Sequence, residues 1–332
     1  MTRRAAHDPF GERDELRHRA TFYVLGTRMD FLSNSSRLLQ LARHAFARLP
    51  VRRETRAPRL RVLLRLVPEG DSHAAPPPAP RFSSAAGLLF AHVDAHSFAV
   101  VNPAQRVATV QVSAALLRHD YHLRYELLEF AAITLAVRAR GMVPLHAACV
   151  GRGRRGLLLL GDSGAGKSTL TLACALDGCA FLSDDGVFAE PGGKLRGLPG
   201  FLHIAERGLG LVDDRRVRAR LDRAPRIRRR SGARKLEIDA RRSGVRMARA
   251  PLDLATTVVL SPARARGALL ERIDSGRLLA ALRRTQPYGA RQPGWKALER
   301  ALLRRGGYLL RRGGHPDEGV RALRSLLREC DA

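Results

Sequence analysis

The chain has 332 residues, enough for two domains or for one large α/β domain carrying an extra module. Its longest apolar runs, such as 156–160 and 254–260, are far too short to cross a bilayer, and the charged start over 1–18 lacks the apolar stretch of a secretory signal. A net charge of +28 invites a nucleic-acid reading, but lysine occurs only at Lys167, Lys194, Lys235 and Lys296, and the arginines are spread along an alanine-rich chain, as a GC-rich coding bias would leave them.

Residues 1–18 read as disordered, and 19–138 as a small α+β module. Within it, Thr21–Leu25 and Arg28–Leu32 read as strands around Gly26, and Ser36–Leu49 as an amphipathic helix capped by the Asn34–Ser36 cluster. Leu60–Val67 is a further strand, and 68–81, with Pro76–Pro78, a linker or long loop. Gly87–Val101 and Arg106–Val112 read as a meander, and Tyr121–Arg138 as one long helix with Leu123, Leu127, Leu128, Ala131 and Leu135 at helical spacing.

After Gly141 the pattern changes to the layout of a nucleotide-binding α/β core, assigned to 139–332. Strand Leu145–Val150, strand Gly156–Leu160, a glycine-rich loop, helix Lys167–Asp177 and strand Ala180–Leu182 lead to Asp184 and Asp185. Leu254–Leu260 reads as a buried strand, Tyr308–Arg311 as a short one, and 315–329 as a closing helix with Pro316, Asp317 and Glu318 at its start. The arginine run over 215–230, continued to Arg249, reads as a docking face for an acidic partner or as a solvated, mobile loop. Cys149, Cys174, Cys179 and Cys330 show no metal spacing and read as reduced thiols of a cytoplasmic protein.

Gly161, Asp162, Ser163, Gly164, Ala165, Gly166, Lys167 and Ser168 fit G-x-x-x-x-G-K-[ST] at every fixed position. Its glycines let successive backbone N–H groups turn inward on phosphate oxygens, and the following helix, from Thr169 on, adds its positive end. Lys167 is a compact charge for the β- and γ-phosphates where the planar fork of arginine would not seat, and Ser168 offers a hydroxyl to Mg²⁺. Asp184 and Asp185 end the next strand, on the ligand-binding edge of such a sheet. One carboxylate of the pair can hold Mg²⁺ and the other can take a hydroxyl proton. Lys235 reads as a second phosphate clamp or as an exposed basic loop residue. No ABC-type signature follows the loop, and no Asn-Lys-x-Asp base-reading motif is present, so a transport ATPase and a GTPase are disfavoured.

Three blocks, Leu145-His146-Ala147, Gly161–Ser168 and Ser183-Asp184-Asp185-Gly186-Val187, resemble the catalytic core of the HPr serine kinase/phosphorylase family in type and in separation. A fourth, Glu206-Arg207-Gly208-Leu209-Gly210, is similar to a later family motif, although Glu206 here adjoins Arg207 directly, and a one-residue slip on a strand would turn that carboxylate to the other face. The resemblance implies a P-loop kinase core of the HPr kinase/phosphoenolpyruvate carboxykinase type. It also implies that Asp184 is the base, Asp185 a Mg²⁺ ligand with Ser168, and His146 a neighbour of the reacting phosphate. Thr169 and Cys179 depart from the bifunctional members, so phosphorylase activity and the HPr substrate are not carried over. The expected function is an ATP- and Mg²⁺-dependent kinase acting on a seryl hydroxyl of a protein or peptide, with a homo-oligomer open and no membrane or nucleic-acid partner. The alternative is a nucleotide-binding sensor or assembly factor without phosphotransfer.

Overall fold

A computed structural model describes residues 15–51, 54, 57–68, 70 and 76–331. The expected disorder over 1–18 lies largely outside the described residues, while in the expected loop over 68–81 the described residues 76–80, with Pro76–Pro78, are irregular as expected and β4 begins at Arg81. Two compact units are present: one holds residues up to 23, 27–47 and 56–135, and the other holds 24–26, 48–55 and 136–332.

The first unit is built on a seven-stranded mixed sheet. Its strands are β1 (His18–Val24), β2 (Thr27–Ser33), β3 (Leu60–Val67), β4 (Arg81–Ala85), β5 (Leu88–His92), β6 (Phe98–Asn102) and β7 (Val107–Ser113), ordered β1-β2-β3-β7-β6-β5-β4. Helix α1 (Ser36–Phe46) starts at Ser35, whose hydroxyl accepts the N–H of Leu38. The expected helix over 121–138 is present and continuous, with a widened π-helical stretch inside it: α2 (Asp120–His122), a π-helical segment over Leu123–Leu128 and α3 (Glu129–Ala139).

The second unit is a mixed α/β body around a nine-stranded sheet. Strands β8 (Val143–Leu145), β9 (Ala148–Arg152), β10 (Arg155–Leu160), β11 (Ala180–Ser183), β12 (Val187–Ala189) and β13 (Lys194–Gly197) join the long β17 (Leu252–Arg264), then β18 (Leu270–Ile273) and β19 (Gly307–Arg312). The expected strand 145–150 is split, because the chain bends at His146 and Ala147 between β8 and β9. Between β13 and β17 lies a separate three-stranded sheet of β14 (Phe201–Ala205), β16 (Arg234–Asp239) and β15 (Arg226–Arg228), in that order, with helices α5 (Arg215–Asp222) and α6 (Ala240–Ser243). The arginine run is therefore ordered secondary structure rather than a mobile loop: Asp214 caps α5 by accepting from Arg216 and Val217, and buried Ile227 ties β15 to the core.

Leucine alternation on β10 explains why the central sheet is covered on both faces. Leu158 and Leu160 pack with β17 and with helices α7 (Ser275–Thr285) and α8 (Trp295–Arg305) on one side. Leu157 and Leu159 pack with α4 (Lys167–Leu176) and α9 (Pro316–Asp331) on the other. A fully buried leucine contributes about 1.5–3 kcal/mol, so the run Leu157–Leu160 alone fixes β10 as a central strand. β17 runs parallel to β10 on one side and to β19 on the other, so three strands end on one edge of the sheet.

Candidate functional site

The loop after β10 reverses direction through Gly164 and Gly166, both at positive φ (83° and 95°), which a side chain would strain. Gly161 is constrained by space, since a Cβ there would lie 3.1 Å from the Ala165 Cβ and 3.3 Å from the Leu260 carbonyl oxygen. Gly166 is also the residue that caps α4, and it brings no side-chain bond to the first turn. The opening N–H groups of α4 are thus left for a ligand at the positive end of the helix. Lys167 is 6% exposed, and its ammonium donates to the carbonyls of Gly161 (2.7 Å) and Asp162 (3.2 Å). Burial pulls its pKa below the usual lysine value, against the attraction of Asp185 and Asp162.

This loop forms one wall of a cavity of about 680 Å³. Ser163, Gly164, Ala165, Gly166, Lys167, Ser168 and Thr169 line it, together with His146, Asp184 and Asp185. Gly161 and Asp162 do not line it. Gly161 supports Lys167 from behind, and the exposed carboxylate of Asp162 sits 3.4 Å from Arg284. Lys235, left open by the sequence, also lines the cavity. Glu206 does not. It opens a 3-10 turn over Glu206–Leu211 rather than lying on a strand, and it pairs with Arg226 and Arg234. The strand argument about its direction therefore falls, while its neighbours Arg207 and Gly208 do reach the cavity.

The two carboxylates leave β11 into different surroundings. Asp184 is 3% exposed, and its Oδ2 accepts the backbone N–H of His203 at 2.8 Å. Burial raises its pKa above the usual carboxylate range, with the Asp185 charge adding to that and His203 opposing it. Half-buried Asp185 receives His146 Nε2 on one oxygen and Arg229 on the other, each at 3.2 Å. Its pKa is lowered: burial pushes it up, but the His146 bond, the Arg229 charge and Lys235 outweigh burial. Adjacent carboxylates with pKa values driven apart are the pattern of a base beside a permanent anion.

Gln286 carries no sequence signal. It follows α7, is 7% exposed, and grips the backbone of His146 from both sides: its Oε1 accepts the His146 N–H (2.8 Å) and its Nε2 donates to the His146 carbonyl (3.0 Å). The bend between β8 and β9 is held by this amide, which sets where the His146 ring meets Asp185. A glutamine some 140 residues away carries no local motif, so only the folded chain reveals it. Arg311 and Arg312, at the end of β19, and His315, just before α9, also line the cavity.

No family model matches the chain, and no curated protein is significantly similar to it.

Proposed function

We propose that this protein is an ATP- and Mg²⁺-dependent kinase that moves a γ-phosphate to a seryl hydroxyl of a protein or peptide, on a P-loop core of the HPr kinase/phosphoenolpyruvate carboxykinase type. The observation that carries the reading is the meeting, on one cavity, of the uncapped start of α4, the Lys167 ammonium and the Asp184–Asp185 pair. Left-handed glycines and open N–H groups fit a polyphosphate, and the cavity has the volume for a nucleotide. Ser168 and Asp185 supply hard oxygen donors of the kind Mg²⁺ takes, and both line the cavity. When bound there, the ion would neutralise charge on the phosphate oxygens.

The chain's own residues do the rest. Lys167 binds the phosphate chain as a point charge. Asp184 takes the proton of the acceptor hydroxyl. Its burial raises basicity, and the His203 N–H holds one oxygen so that the other is left for the substrate. His146 and Arg229 keep Asp185 ionised and oriented. Arg207 and Lys235 add positive charge to the cavity wall.

Two measurements on the purified protein test this. Calorimetric titration with ATP and Mg²⁺ should show saturable binding, and incubation with γ-labelled ATP and serine-containing peptides should move label to serine. Absence of nucleotide binding overturns the proposal. Tight binding with no transfer to any serine would leave a nucleotide sensor in its place.

A further inference from the structure

Between 215 and 249 the chain carries fourteen arginines and one lysine against three acids, Asp222, Glu237 and Asp239. Acids inside the segment offset little of that charge, and of those bordering it Glu206 pairs with Arg226 and Arg234 and Asp214 caps α5. Glu237 is buried against His203, and Asp239 is tied to Arg48 and to the N–H of Arg241. Asp222 pairs with Arg226. Arg215, Arg216, Arg223 and Arg228 are exposed.

This segment includes an open sheet edge. β15 is the last strand of its sheet, and among the described residues no further strand pairs with it. The Pro225 carbonyl accepts from Glu237, Ile227 pairs with Lys235, and the Arg229 N–H donates to Ala233. The inward-facing backbone groups therefore belong to 225, 227 and 229, and those of Arg226 and Arg228 face outward along the edge. The strand's far end leads directly into the cavity, because Arg229 bonds Asp185 and both Ala233 and Lys235 line the wall.

Resting on the kinase reading, we propose that the outer edge of β15 and its flanking arginines are the docking site for an extended acidic peptide segment that carries the acceptor serine. The peptide adds a short strand to β15, and its carboxylates meet Arg228 on that strand and Arg223 just before it. At about 3.3 Å per residue, only a few residues separate the acidic stretch from a serine beside Asp184. An acidic peptide fits better than a nucleic acid. No phenylalanine, tyrosine or tryptophan occurs over 215–249, so the patch has no aromatic platform for stacking bases.

The test uses the full-length protein, a fluorescent peptide with one serine flanked by aspartate and glutamate, the matched peptide with asparagine and glutamine, and a single-stranded DNA oligonucleotide of equal length. At 150 mM salt the acidic peptide should bind at least tenfold more tightly than the neutral one. The double variant R223E/R228E should lose at least tenfold in acidic-peptide affinity while binding ATP with Mg²⁺ as the wild type does, which also shows that it is folded. Equal affinity for the two peptides, or no effect of the double variant, overturns the proposal. So does DNA binding tighter than the peptide and equally lost in the variant, which would make the patch a nucleic-acid face. Loss of ATP binding by the wild type would instead overturn the kinase reading, separately from the peptide result.

Discussion

Replacing Asp184 by asparagine separates binding from chemistry. Asparagine has the same shape, and its side-chain oxygen can still accept the His203 N–H at the 2.8 Å site. What it loses is the ability to take a proton. Positioned general bases supply roughly 10²–10⁴ in rate, which at 1.36 kcal/mol per decade is about 2.7–5.4 kcal/mol of barrier. The same substitution removes a buried negative charge close to Asp185 and to any bound phosphate, so ATP affinity should hold or rise. Stability should follow: burial raises the Asp184 pKa, so its ionised form burdens the fold at neutral pH, and the amide lifts that burden. The expected variant therefore melts at the same temperature or higher, titrates normally with ATP and Mg²⁺, and transfers label at least a hundredfold more slowly. Since the base must be ionised, the acidic limb of wild-type kcat/KM should lie above the ordinary aspartate range. A D184N protein that transfers phosphate within tenfold of wild type would refute the assignment.

Lys167→Met removes one charge-assisted contact to the phosphates, worth about 1.5–3 kcal/mol, so ATP should bind some 10- to 150-fold more weakly by calorimetry while the variant stays folded. Gln286→Ala deletes both bonds to the His146 backbone, at roughly 0.5–1.5 kcal/mol each, and should lower the melting temperature by several degrees. Its transfer rate should fall more than its KM for ATP rises, and Gln286→Glu, which keeps the acceptor but sets a carboxylate oxygen against the His146 carbonyl, should not rescue the loss; unchanged melting and kinetics would remove Gln286 from the site. His146→Ala raises the Asp185 pKa toward normal. Because the folded value is lowered in the wild type, the Asp185 contribution is present above the unfolded value near ~3.9 and fades as pH falls through the folded one. The stability gap between wild type and H146A, about 1 kcal/mol for a half-exposed pair, read from urea unfolding, should thus be full from pH 7 down to about pH 4 and shrink only as pH falls further; a gap that stays undiminished well below pH 4 counts against the pairing.

Short-range features were legible in the sequence. The glycine loop, α4 and β11 follow from local turn chemistry and from apolar runs bounded by glycine, and β10 and the core of β17 from leucine and valine content. The first-unit strands around Gly26 and at 60–67 were legible for the same reason. What escaped was set by distant partners. The split between β8 and β9 depends on Gln286, and β12 and β13, three and four residues long, have too few positions to show a period. The arginine segment hid its order because one buried residue on β15, Ile227, carries the apolar signal. Gly197 lacks any local signature: a Cβ there would lie 2.2 Å from the Leu182 carbonyl oxygen, a close approach that exists only once β13 has met the end of β11.

The parallel pairing of β10 with β17 has a consequence for how this protein comes into being. Arg155 meets Asp253 and Leu160 meets Val259 across nearly a hundred residues of intervening chain, and β19 arrives some fifty residues later still. A contact of that sequence separation is slow to close. During synthesis the glycine loop emerges long before the strands that floor it, so its ability to hold a ligand is acquired late. On the proposed function, a nascent or truncated product ending before Leu252 would display the full motif without the strands beside it and should not bind nucleotide, and nucleotide added during refolding should act on the last step of assembly by trapping the finished sheet.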